Sequence, residues 1–191
     1  GKGCFIPLRF ACGEAFQFDW SEDFVRIGGR QVKLQIAQFK LAYSRAFVLR
    51  AYYQQKHEML FDAHWHAFRL FGGVPQRGIY DNMKTAVDSI SRGKARRVNQ
   101  RFTAMVSHYL FEAQFCNPAS GWEKGQIEKN VQDSRQRIWQ GAPEFASLAQ
   151  LNDLLEQRCQ ALWSELHHPE FDQDIADVLA EERSQLMALP T

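Results

Sequence analysis

The feature that most constrains the fold is an alternating stretch at residues 15–20, Ala-Phe-Gln-Phe-Asp-Trp. In a β-strand its aromatic side chains would lie on one face, whereas the other face would end in the carboxylate of Asp19. An ionised carboxylate in a buried strand needs a cation or several hydrogen-bond donors. The stretch therefore predicts a central strand that either delivers Asp19 to a functional edge or ends there, with Asp19 capping a turn at residues 20–23.

Three more strands are predicted to follow, and together they form an antiparallel meander. The first two, at about 24–27 and 31–39, are joined by Gly28-Gly29. A Gly-Gly pair between alternating segments favours a tight hairpin, because such turns need positive φ angles. The third strand is predicted over 46–52.

Helical spacing of apolar residues begins after the meander. It predicts a helix over 56–71 that ends at Gly72-Gly73, followed by a short strand over 74–81 that finishes on Asp81. The remaining predicted elements are a helix at 99–110, a strand at 113–116, a long helix at about 123–139, a helix that begins at the cap Ser147 with Gln150 in the capping-box position, and an acidic helical tail at 174–187. That tail is free to leave the main core.

This order of elements predicts an α/β fold, a mixed sheet in which an antiparallel meander is followed by parallel strands, with helices on both faces. In such sheets, ligands bind beyond the carboxyl ends of strands where the strand order reverses. We expect a lead-in segment at 1–14, a core at 15–168, and a helical tail at 169–191 that leads to a missing C-terminal region. Because the sequence begins with Gly1 rather than methionine, we expect a fragment of a longer protein.

Composition excludes several classes of protein. The net charge of +1 gives no global sign of nucleic-acid binding, so any basic surface must be local. Four scattered cysteines form no CxxC pair, and His57 and His64 have no zinc-ligand partners in sequence, which disfavours a zinc site. No apolar segment approaches the roughly 20 residues that cross a bilayer, and the first residues lack the charged start, apolar middle and small-residue cleavage site of a signal peptide. A soluble, reduced, cytoplasmic protein without membrane contacts is expected.

Three acids are candidates for one site. If the strands that carry Asp19 and Asp81 are neighbours, their carboxylates meet, and Glu128 follows the buried position Ile127 of a predicted helix that can face the same edge. Three carboxylates without thiols or clustered imidazoles favour Mg²⁺ or Mn²⁺, and two ions about 3.5–4 Å apart suit in-line phosphoryl displacement. Each acid alone has a simpler interpretation, as a cap or a solvated residue. Glu123 competes as the third acid, but it lies about 140° around the helix and suits the helix start.

The stretches that contain these acids resemble the three signature stretches of the DDE transposase/integrase core. They are Phe-Asp-Trp at 18–20, Tyr-Asp-Asn-Met-Lys-Thr-Ala-Val at 80–87, and Asn-Pro-Ala-Ser-Gly-Trp-Glu-Lys-Gly-Gln-Ile-Glu at 117–128. More closely, they resemble IstA-type insertion-sequence transposases, which work with a separate AAA+ ATPase helper. The resemblance covers roughly residues 15 to 140, and the ending with Glu182-Arg183 and Leu189-Pro190 is also similar to that group.

The resemblance implies a ribonuclease-H-like fold, with Asp19, Asp81 and Glu128 as a catalytic triad that binds two Mg²⁺ or Mn²⁺ ions. It implies that a metal-activated water nicks DNA at the transposon end and that the freed 3′-hydroxyl attacks target DNA. The implied partners are DNA, an AAA+ ATPase and further copies of the chain, in the bacterial cytoplasm and at the nucleoid when bound to DNA. Two alternatives stay open: a ribonuclease-H-like nuclease or junction resolvase, and a non-catalytic DNA-binding or assembly module.

Several basic and polar residues near the acids in sequence are candidates for contacts with DNA phosphates. They are Asn82, Lys84, Arg92, Lys94, Arg96, Arg97, Lys124 and Arg135. The basic tract from Arg92 to Arg101 could equally be a solvated loop. Trp122 could stack on an unpaired base or belong to the core or an interface.

Overall fold

A mixed β-sheet organises the protein in this computed structural model, which describes residues 9–81, 94–116 and 144–191. Side chains are described for residues 9–80, 100–115 and 144–191. The strands are β1 (Ala15–Ile27), β2 (Arg30–Leu41), β3 (Phe47–Tyr52), β4 (Arg77–Asp81), β5 (Glu112–Cys116) and β6 (Glu144–Phe145). The helices are α1 (His57–Phe71), α2 (Lys94–Tyr109), α3 (Leu148–Glu165) and α4 (Ile175–Glu182), followed by a 3₁₀ turn at Arg183–Gln185.

The strand order is β3-β2-β1-β4-β5, and the short β6 pairs with the far end of β1. Strands β1, β2 and β3 pair antiparallel, whereas β4 runs parallel to β1 and β5 runs parallel to β4. The predicted antiparallel meander followed by parallel strands is therefore confirmed.

Strands β1 and β2 form one long hairpin, and this corrects the predicted break in the first strand. Gly28 and Gly29 have φ angles of 59° and 82°, as the predicted tight turn requires. Residues 20–23 pair with residues 34–37, so they continue the strand and form no turn. Since β2 offers an unbroken partner, Asp19 lies within a strand, and its interpretation as a turn cap is wrong.

Helix boundaries follow the local signals, with one exception. Helix α1 ends at Gly72, which has a left-handed φ of 87°, and α3 begins after Ser147, whose side chain accepts a hydrogen bond from the Gln150 backbone N–H at 3.1 Å. The exception is α2, which begins at Lys94 and not near residue 99. The loop interpretation of the basic tract is therefore wrong for residues 94–101, where Ala, Arg and Lys are good helix formers. The predicted helix at 123–139 lies outside the described residues.

An aromatic cluster joins the sheet to two helices on one of its faces. Phe16 of β1 contacts Phe68 of α1 with ring centroids 5.3 Å apart, and Tyr80 of β4 contacts Phe102 of α2 at 5.2 Å. Phe16 is fully buried opposite Gly78 of β4, the next strand in the sheet. A Cβ atom on Gly78 would lie only 2.3 Å from the Phe16 ring. The close contact between β1 and β4 therefore depends on the missing side chain of Gly78.

Helix α3 covers the outer edge of β3 and completes its hydrogen bonds. The Asn152 side chain accepts from the Ala51 N–H at 2.7 Å and donates to the Ala51 carbonyl at 3.0 Å. The Trp163 indole N–H donates to the Phe47 carbonyl at 2.9 Å. The buried Cys159 lies on the same helix, and burial raises the pKa of its thiol to about 12. An unpaired strand edge is thus closed by side chains of a helix.

The acidic tail packs on the core, so the expectation that it could leave the core is wrong. Glu182 at the end of α4 is fully buried, and its two carboxylate oxygens accept the backbone N–H groups of Gly13 at 2.8 Å and Ser44 at 3.1 Å. Further along, Met187 forms a β-bridge with Val74, which therefore precedes β4 and does not belong to it. Buried N–H groups need an acceptor, and the tail supplies one.

Replacing Gly78 with Ala should lower the free energy of unfolding by about 1–3 kcal/mol, because the added methyl group overlaps the Phe16 ring. Urea unfolding monitored by circular dichroism measures this change. The control is Gly28→Asn: nothing lies within 4 Å of a Cβ there, and Asn tolerates the left-handed φ, so a change within about 0.5 kcal/mol is expected. Equal losses in the two variants would contradict the close-contact explanation.

Replacing Asn152 with Leu should destabilise the fold by about 2–5 kcal/mol, since two buried backbone groups of Ala51 lose their partners while side-chain volume is kept. Gln160→Leu on the exposed side of the same helix is the control and should change stability by less than about 0.5 kcal/mol. Thermal and urea unfolding would test both variants. An Asn152→Leu protein as stable as the wild type would show that α3 does not close the edge in this way.

Candidate active site

Asp19 lies in the middle of β1, on the face opposite the aromatic cluster. Its neighbours Phe18 and Trp20 point to the aromatic face, and Phe18 is only 1% exposed. Asp19 stands opposite Gln38 of β2 and is half-buried. Because the buried Phe18 and the partly buried Trp20 flank Asp19, the backbone that carries the carboxylate is firmly held.

The parallel pairing of β1 with β4 brings the positions of Asp19 and Asp81 side by side. The last pair in this register is Phe18 with Tyr80, and each acid is the next residue of its strand. Neighbouring strands lie about 4.8 Å apart, and equivalent residues of parallel strands share a face. The predicted meeting of these two strand positions is therefore seen in the backbone, at the end of β4 where the parallel part of the sheet stops.

A buried pair formed by His64 and Tyr80 holds the end of β4, and it was not predicted from the sequence. The His64 Nε2 atom lies 2.6 Å from the Tyr80 hydroxyl, and its Nδ1 atom lies 2.7 Å from the Leu60 carbonyl. Since a carbonyl only accepts, Nδ1 carries the proton and Nε2 accepts the hydroxyl proton of Tyr80. Tyr80 immediately precedes Asp81, so α1 fixes the strand end that carries the second acid.

Burial lowers the pKa of His64 to about 4, so the ring is neutral at pH 7. Both of its nitrogen atoms are used within the core, which leaves neither for a metal ion. The signal that could have identified His64 is its position one helical turn after Leu60, on the apolar face of α1.

Most of the other predicted site residues fall outside the described part of the chain. Those residues are Asn82, Lys84, Arg92, Trp122, Glu123, Lys124, Glu128 and Arg135. Lys94, Arg96 and Arg97 lie in the first turn of α2, with side chains outside the description. Arg101 of the same helix is exposed and pairs with Glu58 of α1 at 3.2 Å. The structure thus places the backbone of two acids of the predicted triad.

Within the residues that the structure describes, no group of three His, Cys, Asp or Glu side chains could hold a metal ion. A site with three carboxylates would therefore need an acid outside these residues, and Glu128 stays the predicted one. In the same residues, no helix is long and apolar enough to cross a membrane.

Acidification should destabilise the protein through His64. The pKa of this ring is about 4 in the folded state and about 6.5 when unfolded, so the unfolded state binds more protons between these values. The contribution of neutral His64 to the free energy of unfolding is fully present above pH 6.5. It falls by about 3 kcal/mol as the pH drops to 4. The double variant His64→Phe/Tyr80→Phe lacks the titrating group and should lose this part of the pH dependence.

Urea unfolding between pH 7.5 and pH 4 would measure the effect, with His167→Phe as the control because the His167 side chain is 62% exposed. The control should keep the wild-type pH dependence. If the double variant loses as much stability as the wild type over this range, the neutral buried histidine is not the cause.

Comparison with known proteins agrees with this arrangement. No protein-family model matches the chain. Over 190 residues it is 83% identical to the transposase for insertion sequences IS1326/IS1353 of Pseudomonas aeruginosa, covering 100% of this chain and 38% of that protein. It is 63% identical over 187 residues to a transposase of Aminobacter aminovorans, covering 98% of this chain and 37% of that protein. The chain thus spans well under half the length of these relatives.

Among solved structures, the fold is similar to the HTLV-2 integrase catalytic core domain in complex with magnesium, in its dimeric form. The TM-score is 0.62 at 12% sequence identity, over 89% of this chain and 97% of that domain. At this identity the likeness establishes the fold and nothing more. The chain is therefore a homologue of part of these insertion-sequence transposases, and it has the ribonuclease-H-like fold of an integrase catalytic core.

Proposed function

We propose that this chain is the catalytic core of a DDE-type transposase, which cleaves DNA at transposon ends and joins the freed 3′-hydroxyl to target DNA. Asp19, Asp81 and Glu128 are the proposed catalytic acids. The observation that carries this proposal is the adjacent placement of Asp19 and Asp81 on parallel strands, in a chain 83% identical to an insertion-sequence transposase. A ribonuclease-H-like nuclease could share the fold, but it would cleave DNA without joining strands.

The donor chemistry of the site fits Mg²⁺ or Mn²⁺. Asp19 and Asp81 offer carboxylate oxygens, the ligands that these hard cations prefer. Both nitrogen atoms of the His64 imidazole already form hydrogen bonds, with Leu60 and Tyr80. We propose that the two aspartates and Glu128 hold two ions. When bound, such ions lower the pKa of a water molecule and neutralise charge on the phosphoryl oxygens. The related integrase core was solved with magnesium.

The contribution of this chain is to fix the acids in place. Phe18 and Tyr80 are buried neighbours in the strand register, and the Tyr80 hydroxyl donates to His64. Two strand positions anchored in this way change their separation little, so the carboxylates keep the spacing that in-line displacement requires. Strand β1 continues past the site to Ile27, which adds a further anchor to Asp19.

The remaining proposals concern partners and boundaries. The proposed DNA contacts are Asn82, Lys84, Arg92, Lys94, Arg96, Arg97, Lys124 and Arg135. We propose a catalytic core at 15–168, preceded by a lead-in at 1–14 and followed by a tail at 169–191 that leads towards a further region of the longer protein. An IstA-type transposase would also act as a homo-oligomer with an AAA+ ATPase helper, at the bacterial nucleoid in the cytoplasm.

Strand joining of transposon-end oligonucleotides to plasmid DNA in Mn²⁺ tests the proposal. Asp19→Asn, Asp81→Asn and Glu128→Gln should each lower the rate by about 10²-fold or more, because each removes charge worth several kcal/mol to the transition state. One matched control is Asp23→Asn, four residues after Asp19 on the same face of β1. The other is Glu123→Gln, and both variants should stay active. Joining that survives in Asp19→Asn, or cleavage without any joining, would contradict the proposal.

Metal binding can be measured even if the isolated chain does not join DNA. Converging carboxylates repel one another without cations, so Mn²⁺ should raise the melting temperature of the wild type and of Asp23→Asn. The rise should be reduced or lost in Asp19→Asn. An equal rise in all three proteins would place the bound metal elsewhere.

A further inference from the structure

Three side chains that carry hydrogen-bond donors lie near the turn between β2 and β3. Gln17 of β1 and Lys40 of β2 stand directly opposite each other, so their side chains share the face of the sheet that also carries Asp19. Arg45 follows in the turn, close enough for its charge to lower the pKa of Lys40. We refer to Gln17, Lys40 and Arg45 as the donor cluster.

The members of the donor cluster have almost no acceptors. The Gln17 amide nitrogen and the Arg45 Nε atom are buried without a hydrogen-bond partner. Lys40 of the same cluster is only 6% exposed. Native proteins rarely bury even one donor without a partner. Two such nitrogen atoms in one place, beside the buried side chain of Lys40, call for a ligand that accepts hydrogen bonds.

The nearby acids neutralise the cluster only in part. Glu170 forms an ion pair with Arg45, 3.8 Å from Nη2, but the Glu170 side chain is about half exposed. Glu182 lies behind the same turn, but its carboxylate is already bound by the backbone N–H groups of Gly13 and Ser44. Burial first, and the charge of Arg45 second, lower the pKa of Lys40 to about 7. That shift is typical of a buried cation that lacks a counter-ion.

We propose that the donor cluster is a binding site for a phosphate group, separate from the acids. The guanidinium, ammonium and amide groups offer several N–H donors to the oxygen atoms of one tetrahedral oxyanion, and two of the groups match its charge. Gln17 precedes Asp19 by two residues on β1, so the site lies about 7 Å along the same face. The phosphate could be a free ion or a DNA phosphodiester, and the experiments separate these two sources.

The ionisation of Lys40 reports binding directly. With ¹³C-labelled lysine, an NMR titration of the Lys40 ε-carbon in chloride should give a pKa near 7. Inorganic phosphate at matched ionic strength should raise that pKa by at least about one unit, since a nearby anion favours the charged ammonium. Lys33, an exposed lysine on the same strand, is the internal control and should not shift. An unchanged Lys40 pKa in phosphate would overturn the proposal.

Variants test whether the three donors act together. Phosphate should raise the melting temperature of the wild type and of Lys33→Met, and the rise should disappear in Lys40→Met and shrink in Gln17→Leu. Lys40→Met is expected to fold because it removes a buried charge at nearly constant side-chain length. An equal phosphate effect in wild type and Lys40→Met would place the ion elsewhere and overturn the proposal.

Two further experiments identify the source of the phosphate and separate this site from the proposed catalytic site. A short duplex DNA that raises the Lys40 pKa as phosphate does indicates a phosphodiester ligand, whereas a response to phosphate alone indicates a free ion. Asp19→Asn should keep the full phosphate response, because the proposed metal site and the donor cluster use different side chains. Loss of the response in Asp19→Asn would show one shared site and overturn the inference of two.

Discussion

The contact between β1 and β4 is the constraint on which the rest of the structure depends. Phe16 packs over Gly78, where no side chain intervenes, and this contact sets the register that pairs Phe18 with Tyr80. A shift of one residue would turn Asp81 to the opposite face of the sheet. The aromatic packing that stabilises the core and the placement of the acids are therefore two results of one contact.

The periphery of the sheet is closed by polar side chains, each with a defined partner. Asn152 pairs with both backbone groups of Ala51 at the outer edge of β3, and Glu182 accepts two N–H groups near the turns at Gly13 and Ser44. These groups lie far apart in the sequence. Since a buried polar group without a partner costs more than a hydrogen bond gains, such contacts make the fold specific as well as stable.

Local signals in the sequence predicted most elements and the adjacent strand positions of Asp19 and Asp81, but not the contacts between distant segments. Gly28-Gly29 and the Ser147 cap act within a few residues, and both predictions are confirmed. Residues 20–23 look like a turn because three of the four are polar, yet pairing with β2 keeps them in a strand. The His64–Tyr80 pair and the buried tail depend on long-range packing, which no local pattern encodes. Glu128 stays a prediction.

The buried carboxylate of Glu182 has a consequence for how loss-of-function changes should be interpreted. Because it joins the end of α4 to the backbone N–H groups of Gly13 and Ser44, any substitution of Glu182 would loosen the entry to β1 and the turn beside β2 at once. Such proteins would be cleared by cellular proteases and would be scarce, while each surviving folded molecule kept its acids in place. Abundance, and not turnover per molecule, would distinguish these substitutions from changes to the acids themselves.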